Sequence, residues 1–259
     1  MVSFSKSLVQ ELKEMRLTTE KNESPLSLQV INLLDENRMK EYLDILGSHI
    51  EAENYKAAGS IFIKRYAFLA VLYLYTMTSR DEMLSISFED ISIETDVQAE
   101  VWLPRFYFSR LESVSAGPNR DLWRKNCIEA LFKEHVYPII TCVAKVTRIS
   151  KLILWENIAI YIYWLYETYF FQAEIEDELL ERAKEDFQFI VLQAEGKLFG
   201  DYHENPLKRF YKEKTYNERV KKEIRQRNTC CFAYLTKSNK NCSTCPHICN
   251  RNGEWKIEV

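Results

Sequence analysis

The chain opens with two stretches of helical period. In SFSKSLVQELKEMRL, Ser3 to about Leu17, apolar residues return every three or four positions and fall on one face of an α-helix. Ser24-Pro25 has the form of an N-cap followed by a first-turn proline, which predicts a second helix from Ser24 to about His49. Gly59 to about Thr78 is apolar on nearly every side and predicts a buried helix closed by Arg80, Asp81 and Glu82. The period then switches to two. In LSISFEDISIETDVQAEVWLPRFYF the residues Ile86, Phe88, Ile91, Ile93, Val97, Val101, Trp102 and Phe106 sit among polar neighbours, as half-buried strands do. SAGPNRD, Ser115 to Asp121, is a loop by its turn residues. Helical period resumes near Asp121 and runs to about Ala194, with Pro138 expected to kink or divide the first segment. The sum is an α+β protein, mostly helical: a helical body with a small antiparallel sheet and a C-terminal cysteine-rich segment.

Composition agrees with an ordered, core-forming chain: 46% of the 259 residues are hydrophobic, with only six glycines and six prolines. A formal net charge of -3 gives no reason to expect a nucleic-acid partner. The apolar stretches IFIKRYAFLAVLYLYTM and ILWENIAIYIYWLYETYFF are interrupted by Lys64, Arg65, Glu156 and Glu167, so they read as buried helices and no membrane span is expected. The aromatics from Tyr161 to Phe171 read as core, with a ligand cage as the alternative. The N-terminus lacks the apolar run of a secretory signal, which predicts a cytoplasmic protein.

After Gly196 and Gly200 the composition changes, dividing a body, 1–200, from an appended segment, 201–259. Lys208 to Arg227 holds nine basic residues against three acidic ones. One reading is a solvated helix face with pairs such as Glu218 to Lys222. The functional reading is attraction of an anionic substrate by Lys208, Arg209, Lys221, Lys222, Arg225 and Arg227, joined by Arg105, Arg110, Arg120 and Arg124 if the sheet faces the same way.

Five of the seven cysteines fall in TCCFAYLTKSNKNCSTCPHICN. In a reducing compartment such clustering points to metal or redox chemistry before disulfides. Four thiolates suit zinc or an iron-sulfur cluster. Cys242 and Cys245, in CSTC, have a generic tight-turn spacing. Cys230 and Cys231 are adjacent, so an extended backbone would send their sulfurs to opposite faces and one ion would need a bent chain; a dinuclear cluster is wider. Zinc and iron both remain open on spacing. Cys127 and Cys142 lie on apolar helices and read as core, and His247 reads as a neighbour of the cysteines rather than a ligand.

The pattern Cys230-Cys231, ten residues, Cys242, two residues, Cys245, with Pro246 after it and Tyr234 three residues past the pair, resembles the ferric-siderophore reductase family typified by FhuF. Trp155-Glu156-Asn157 is similar to a Trp-x-Asn element of that family. The resemblance implies a cytoplasmic oxidoreductase that reduces Fe(III)-siderophore by one electron to release Fe(II). It also implies a 2Fe-2S cluster on Cys230, Cys231, Cys242 and Cys245, with Cys249 outside the four-cysteine pattern. The expected partners are a ferric siderophore of anionic hydroxamate or citrate-hydroxamate type and an external electron donor such as a ferredoxin or flavoprotein, because no Gly-rich dinucleotide fingerprint is present. The alternative is a zinc-stabilised siderophore-binding or regulatory module without redox activity.

Overall fold

A computed structural model describes residues 2–3, 6–99, 101–172 and 174–247; Cys249 lies outside them. The expected mostly helical α+β class is what it shows. Helix α1 spans Lys6–Glu14, shorter than expected, because Val2–Ser3 and Leu17–Thr18 on either side are strands β1 and β2. The second expected helix starts late. Ser24-Pro25 does not cap it: strand β3, Leu28–Gln29, and a 3-10 turn, Val30–Leu34, come first, and α2, Glu36–His49, is capped by Asp35, whose carboxylate accepts from Asn37 and Arg38 N–H.

Helix α3, Tyr55–Arg80, starts at Asn54, whose side chain accepts from Ala57 N–H, and ends at Asp81 in the left-handed conformation. It is the central element, packed by α2 on one side and by the later helices on the others. Among the described residues it is the one helix long and apolar enough to cross a membrane, and 83% of its most apolar window is buried inside the protein. Gly59 permits the crossing with α5, since a Cβ there would meet Thr147 at 2.8 Å.

Strands β4, Glu82–Leu84, β5, Ile91–Glu94, β6, Arg105–Phe108, and β7, Glu112–Ser115, form two small sheets with the N-terminal strands. One has the order β1-β7-β4 and is antiparallel; the other has the order β2-β6-β5-β3, antiparallel except for the parallel pair β2 and β6. Within the alternating region Ile91, Ile93 and Phe106 are buried on strands, whereas Val97 and Val101 are exposed in the loop between them.

Helices α4, Arg120–Glu129, and α5, Tyr137–Thr147, form one rod through a π-helical stretch, Ala130–Val136. Pro138 does not divide it: it is the second residue of α5, and the π-helical turn just before it accommodates the missing N–H. Helix α6, Lys151–Trp164, continues as a π-helix to Phe170, and α7, Asp177–Gln188, as another to Gln193. Beyond α7 the basic run holds a short 3-10 turn, Lys208–Phe210, and no α-helix. Thr215–Asn217 and Lys222–Ile224 are strands β8 and β9 of a hairpin, with Asn217 paired to Lys222. Asn217 Oδ1 accepts from Arg219 and Val220 N–H, and Lys221 takes a left-handed φ of 50°. A turn held by an Asn side chain replaces the helical Glu218–Lys222 pair.

Asp186 of α7 is fully buried and ties the helices together. It accepts from Thr78 of α3 at 2.9 Å, from Arg120 at 2.7 and 2.8 Å and from Arg124 at 3.2 Å. Arg110 pairs with Asp90. Three of the four sheet-side arginines considered for substrate attraction are therefore neutralised internally. Asp186→Ala removes the buried carboxylate that Arg120 and Arg124 share, leaving Arg120 to Asp81 and Arg124 to Asp121, and is expected to cost about 3 kcal/mol, read as a lowered urea midpoint.

His135 is buried between Phe88, stacked at 4.3 Å, and Tyr66. Its Nδ1 faces the Ile86 carbonyl at 2.8 Å, so that nitrogen carries the proton and Nε2 accepts from Tyr66 Oη at 2.6 Å. Burial lowers its pKa to about 4. An unfolded histidine protonates near 6.5, so between pH ~6.5 and ~4 the unfolded state holds more protons and stability falls as pH falls, by up to ~3 kcal/mol. Urea titrations at pH 7 and 4.5 should show that loss in the wild type and a smaller one in His135→Gln.

Candidate metal centre

The cysteine segment has almost no regular structure of its own, so its shape comes from the body beneath it. Glu156, buried on α6, accepts from Asn228 N–H at 2.6 Å, from Thr229 N–H at 2.8 Å and from the Thr229 hydroxyl. It also pairs with Arg227 at 3.4 Å. Asn157, one residue on, accepts from Arg227 at 2.7 Å and donates to the Ser60 carbonyl and hydroxyl on α3. Ser60 Oγ in turn donates to the Cys231 carbonyl at 2.8 Å. Trp155 donates to Tyr202 Oη at 2.9 Å. Each residue of Trp155-Glu156-Asn157 thus fastens one piece of the C-terminal segment. Arg227 N–H donates to the Thr244 carbonyl, drawing the two ends of the loop together, and Glu53 N–H and Lys237 N–H bond across to Leu235 and Ile50.

The chain turns just after the vicinal pair. Phe232 takes a left-handed φ of 56°, and its N–H donates to Cys230 Sγ at 3.3 Å. In CSTC a tight turn forms, with Cys245 N–H bonded to the Cys242 carbonyl at 3.0 Å. The four sulfurs lie in a chain of contacts. Cys231 Sγ is 3.7 Å from Cys242 Sγ, Cys245 Sγ lies 3.8 Å from Asn241 Oδ1, and all four thiols are free, with Cys245 hydrogen-bonding toward Cys230 and Cys242. Among the described residues no three or more His, Cys, Asp or Glu side chains are arranged to hold a single ion.

The hydrogen bond from Cys245 holds the Cys230 thiol below the ordinary value. The bond to Cys242, together with burial, pushes Cys231 up, against the opposing charge of Lys64, whose Nζ is 3.9 Å from its sulfur. Cys231 and Cys245 are buried, while Cys230 and Cys242 are partly open. This donor set fits an iron-sulfur group: four adjacent soft ligands, backbone N–H groups of Phe232 and His247 directed at sulfur, and an ammonium at one edge.

Cys242 lines a cavity of about 620 Å³ between α6, the hairpin and the loop. Its walls include Lys64, Tyr161, Trp164 and Glu167. Of the six basic residues singled out in the sequence, Lys222, Arg225 and Arg227 line it. Lys208 and Arg209 line a different cavity beside Trp155 and Tyr202, and Lys221 sits exposed in the hairpin turn. Two of the three that reach the cavity are already engaged. Arg225 makes a bidentate pair with Glu167 at 3.0 and 2.7 Å between the Tyr163 and Tyr211 rings, and Arg227 is buried against Glu156 and Asn157. Lys222 remains exposed.

The aromatic run divides. Tyr166 and Phe170 are core, whereas Tyr161, Trp164 and the largely buried Tyr163 line the cavity. Sequence reasoning missed Ser60 and Lys64, four residues apart on one face of an otherwise apolar helix, which was the available signal. His247 is exposed, with its ring near Tyr234.

Glu156→Ala leaves Arg227 buried without its partner and frees the Asn228–Thr229 backbone. Expected results are retained helical circular dichroism, faster amide exchange over 226–247 and less than half the wild-type iron per chain.

Comparison with known families places this geometry. The family described as ferric iron reductase FhuF-like transporter matches residues 60–218, and the FhuF 2Fe-2S C-terminal domain matches residues 227–247. A search of curated proteins gave no match. The second match decides between zinc and iron in favour of a 2Fe-2S cofactor. Because the first covers more than half of the 259 residues and the second encloses Cys230, Cys231, Cys242 and Cys245, the chain belongs to the FhuF-like ferric iron reductase family.

Proposed function

We propose that the protein is a cytoplasmic ferric-siderophore reductase in which Cys230, Cys231, Cys242 and Cys245 hold the 2Fe-2S cluster. The observation that carries this reading is the opening of Cys242, a partly exposed thiol, onto a cavity of about 620 Å³ lined by aromatic rings, by lysines and arginines, and by Glu156, Glu167 and Glu223. When bound, the cluster supplies a one-electron couple. The net change is Fe(III)-siderophore plus one electron, drawn from an external ferredoxin or flavoprotein, giving Fe(II) and the free chelator. Hard siderophore oxygens hold Fe(II) far less well than Fe(III), so reduction releases the metal.

The residues of the chain bind and position. Tyr161 and Trp164 offer apolar walls, and Lys222 and Lys64 attract an anionic hydroxamate or citrate-hydroxamate chelate. Arg225 and Glu167 hold the hairpin against α6, which keeps Lys222 at the rim. On this reading residues 1–200 are the substrate-binding body and 201–259 carry the redox group.

Anaerobically purified protein should contain about two irons and two labile sulfides per chain, and Cys242→Ser should lose visible absorbance and ferric-chelate reduction together. One zinc and no sulfide would reject the reading. Lys222→Glu should lower kcat/KM roughly threefold or more at low salt and less at high salt, whereas Lys221→Glu, outside the cavity, should change it little.

A further inference from the structure

Three arginines from separate elements approach one another near the cavity without lining it: Arg105 opens on a neighbouring cleft with Glu20, Glu23 and Asp96 and stands in register with Glu94, whereas Arg16 and Arg65 have no carboxylate partner among the described residues. The pairing of Leu17 with Phe106, with Phe106 N–H bonded to the Arg16 carbonyl at 2.8 Å, sets Arg16 next to Arg105. Arg16 has a left-handed φ of 76°, and its guanidinium lies 4.3 Å from the Phe68 ring centre on α3. Arg65, almost one turn earlier on α3, donates to Tyr161 Oη at 3.2 Å, and Tyr161 packs on Phe68 at 4.8 Å.

Several other arginines of the fold are neutralised, while Arg148, Arg209 and Arg219 also lie outside the ion pairs of the described residues. Arg80 meets Glu11, Arg110 meets Asp90, Arg120 and Arg124 meet Asp186, Arg182 meets Asp81, and Arg225 meets Glu167. Among the described residues Arg16, Arg65 and Arg105 have no such partner, and the Nε of Arg16 and of Arg65 is buried with nothing to donate to. Burial, then the positive charges of Arg65 and Arg105, holds the Arg16 guanidinium below the usual arginine value. Gathering like charges in a partly buried place is unfavourable unless an anion completes it, and guanidinium forks match carboxylates in shape.

Position links this cluster to the redox end. Lys64 precedes Arg65 and lies 3.9 Å from Cys231 Sγ, and Tyr161 and Trp164 line the cavity that Cys242 also lines. We propose that Arg16, Arg65 and Arg105 form a subsite for the carboxylate arm of a citrate-type ferric chelate, with the aromatic floor of Phe68 and Tyr161 beneath it and the metal end toward Cys242. This inference rests on the reductase reading for its ligand. Arg16 and Arg65 are half-buried among aromatic rings with Arg105 exposed at the outer edge, which suits a small polycarboxylate better than the surface of a protein donor.

The test is calorimetric titration of the cluster-loaded protein with gallium(III) citrate, which cannot be reduced, and with a carboxylate-free gallium(III) trihydroxamate. Wild type should bind the citrate complex, Arg16→Gln/Arg65→Gln should bind it at least tenfold more weakly, and the exposed Arg38→Gln should match wild type. Arg105→Gln, also exposed and therefore neutral for folding, should weaken it several-fold and guard against misfolding of the double variant. Trihydroxamate binding should not respond to any of these changes.

No binding by wild type, equal binding by the variants, or an equal loss for the trihydroxamate overturns the subsite. So does a variant that binds gallium citrate normally but accepts electrons slowly from reduced ferredoxin, since the cluster would then dock the donor. The reductase reading fails separately: binding as expected without reduction of ferric citrate removes that reading and leaves the subsite standing.

Discussion

The buried carboxylate of Glu156 is the contact on which the C-terminal architecture depends. A segment with so little helix or strand has few internal hydrogen bonds to define it, and its backbone polar groups must find partners in the body. Glu156 accepts the N–H groups of Asn228 and Thr229, immediately before the vicinal cysteines, and balances the buried Arg227. Asn157 and Ser60 extend the same fastening to the Cys231 carbonyl. A buried charge with several well-placed donors is costly to disturb, so the thiols are held by the helical body as much as by their own loop.

Helix α3 joins this fastening to the rest of the fold. Near its start Ser60 and Lys64 touch the cysteine segment and Arg65 joins the arginine cluster; near its end Thr78 bonds to Asp186 among Arg120 and Arg124. Between these ends the helix is apolar on all sides because helices cover it on all sides. Its few polar residues therefore mark its two working ends, and a rigid rod through the core keeps them in register.

Charge in this protein is informative only after pairing is known. The basic run from Lys208 to Arg227 is dense in sequence, yet Arg225 and Arg227 are engaged with Glu167 and Glu156, Lys208 and Arg209 face another cavity, and Lys222 alone of those named stays exposed on the cavity beside Cys242. Arg16, Arg65 and Arg105 are scattered over ninety residues of sequence and lie together in space. Coulomb energy depends on separation and burial, and neither can be read from a count of residues.

The fold class and the helical period of the body were legible in the sequence by itself, because each rests on the local spacing of apolar residues; the 2Fe-2S cofactor was legible only through the resemblance of the cysteine run to a known family, since spacing alone left zinc and iron open. Element boundaries near the N-terminus were not, since strand pairing of Leu17 with Phe106 and Leu28 with Ile93 overrode local helix signals through partners far along the chain. The hairpin at 215–224 likewise follows from the Asn217 turn and from Glu167, which receives both Lys214 and Arg225. Which thiol opens on a cavity, which arginines keep an uncompensated charge, and what Trp155-Glu156-Asn157 holds were decided by tertiary structure alone. Those properties are distances between residues remote in sequence, and only the packed chain sets them.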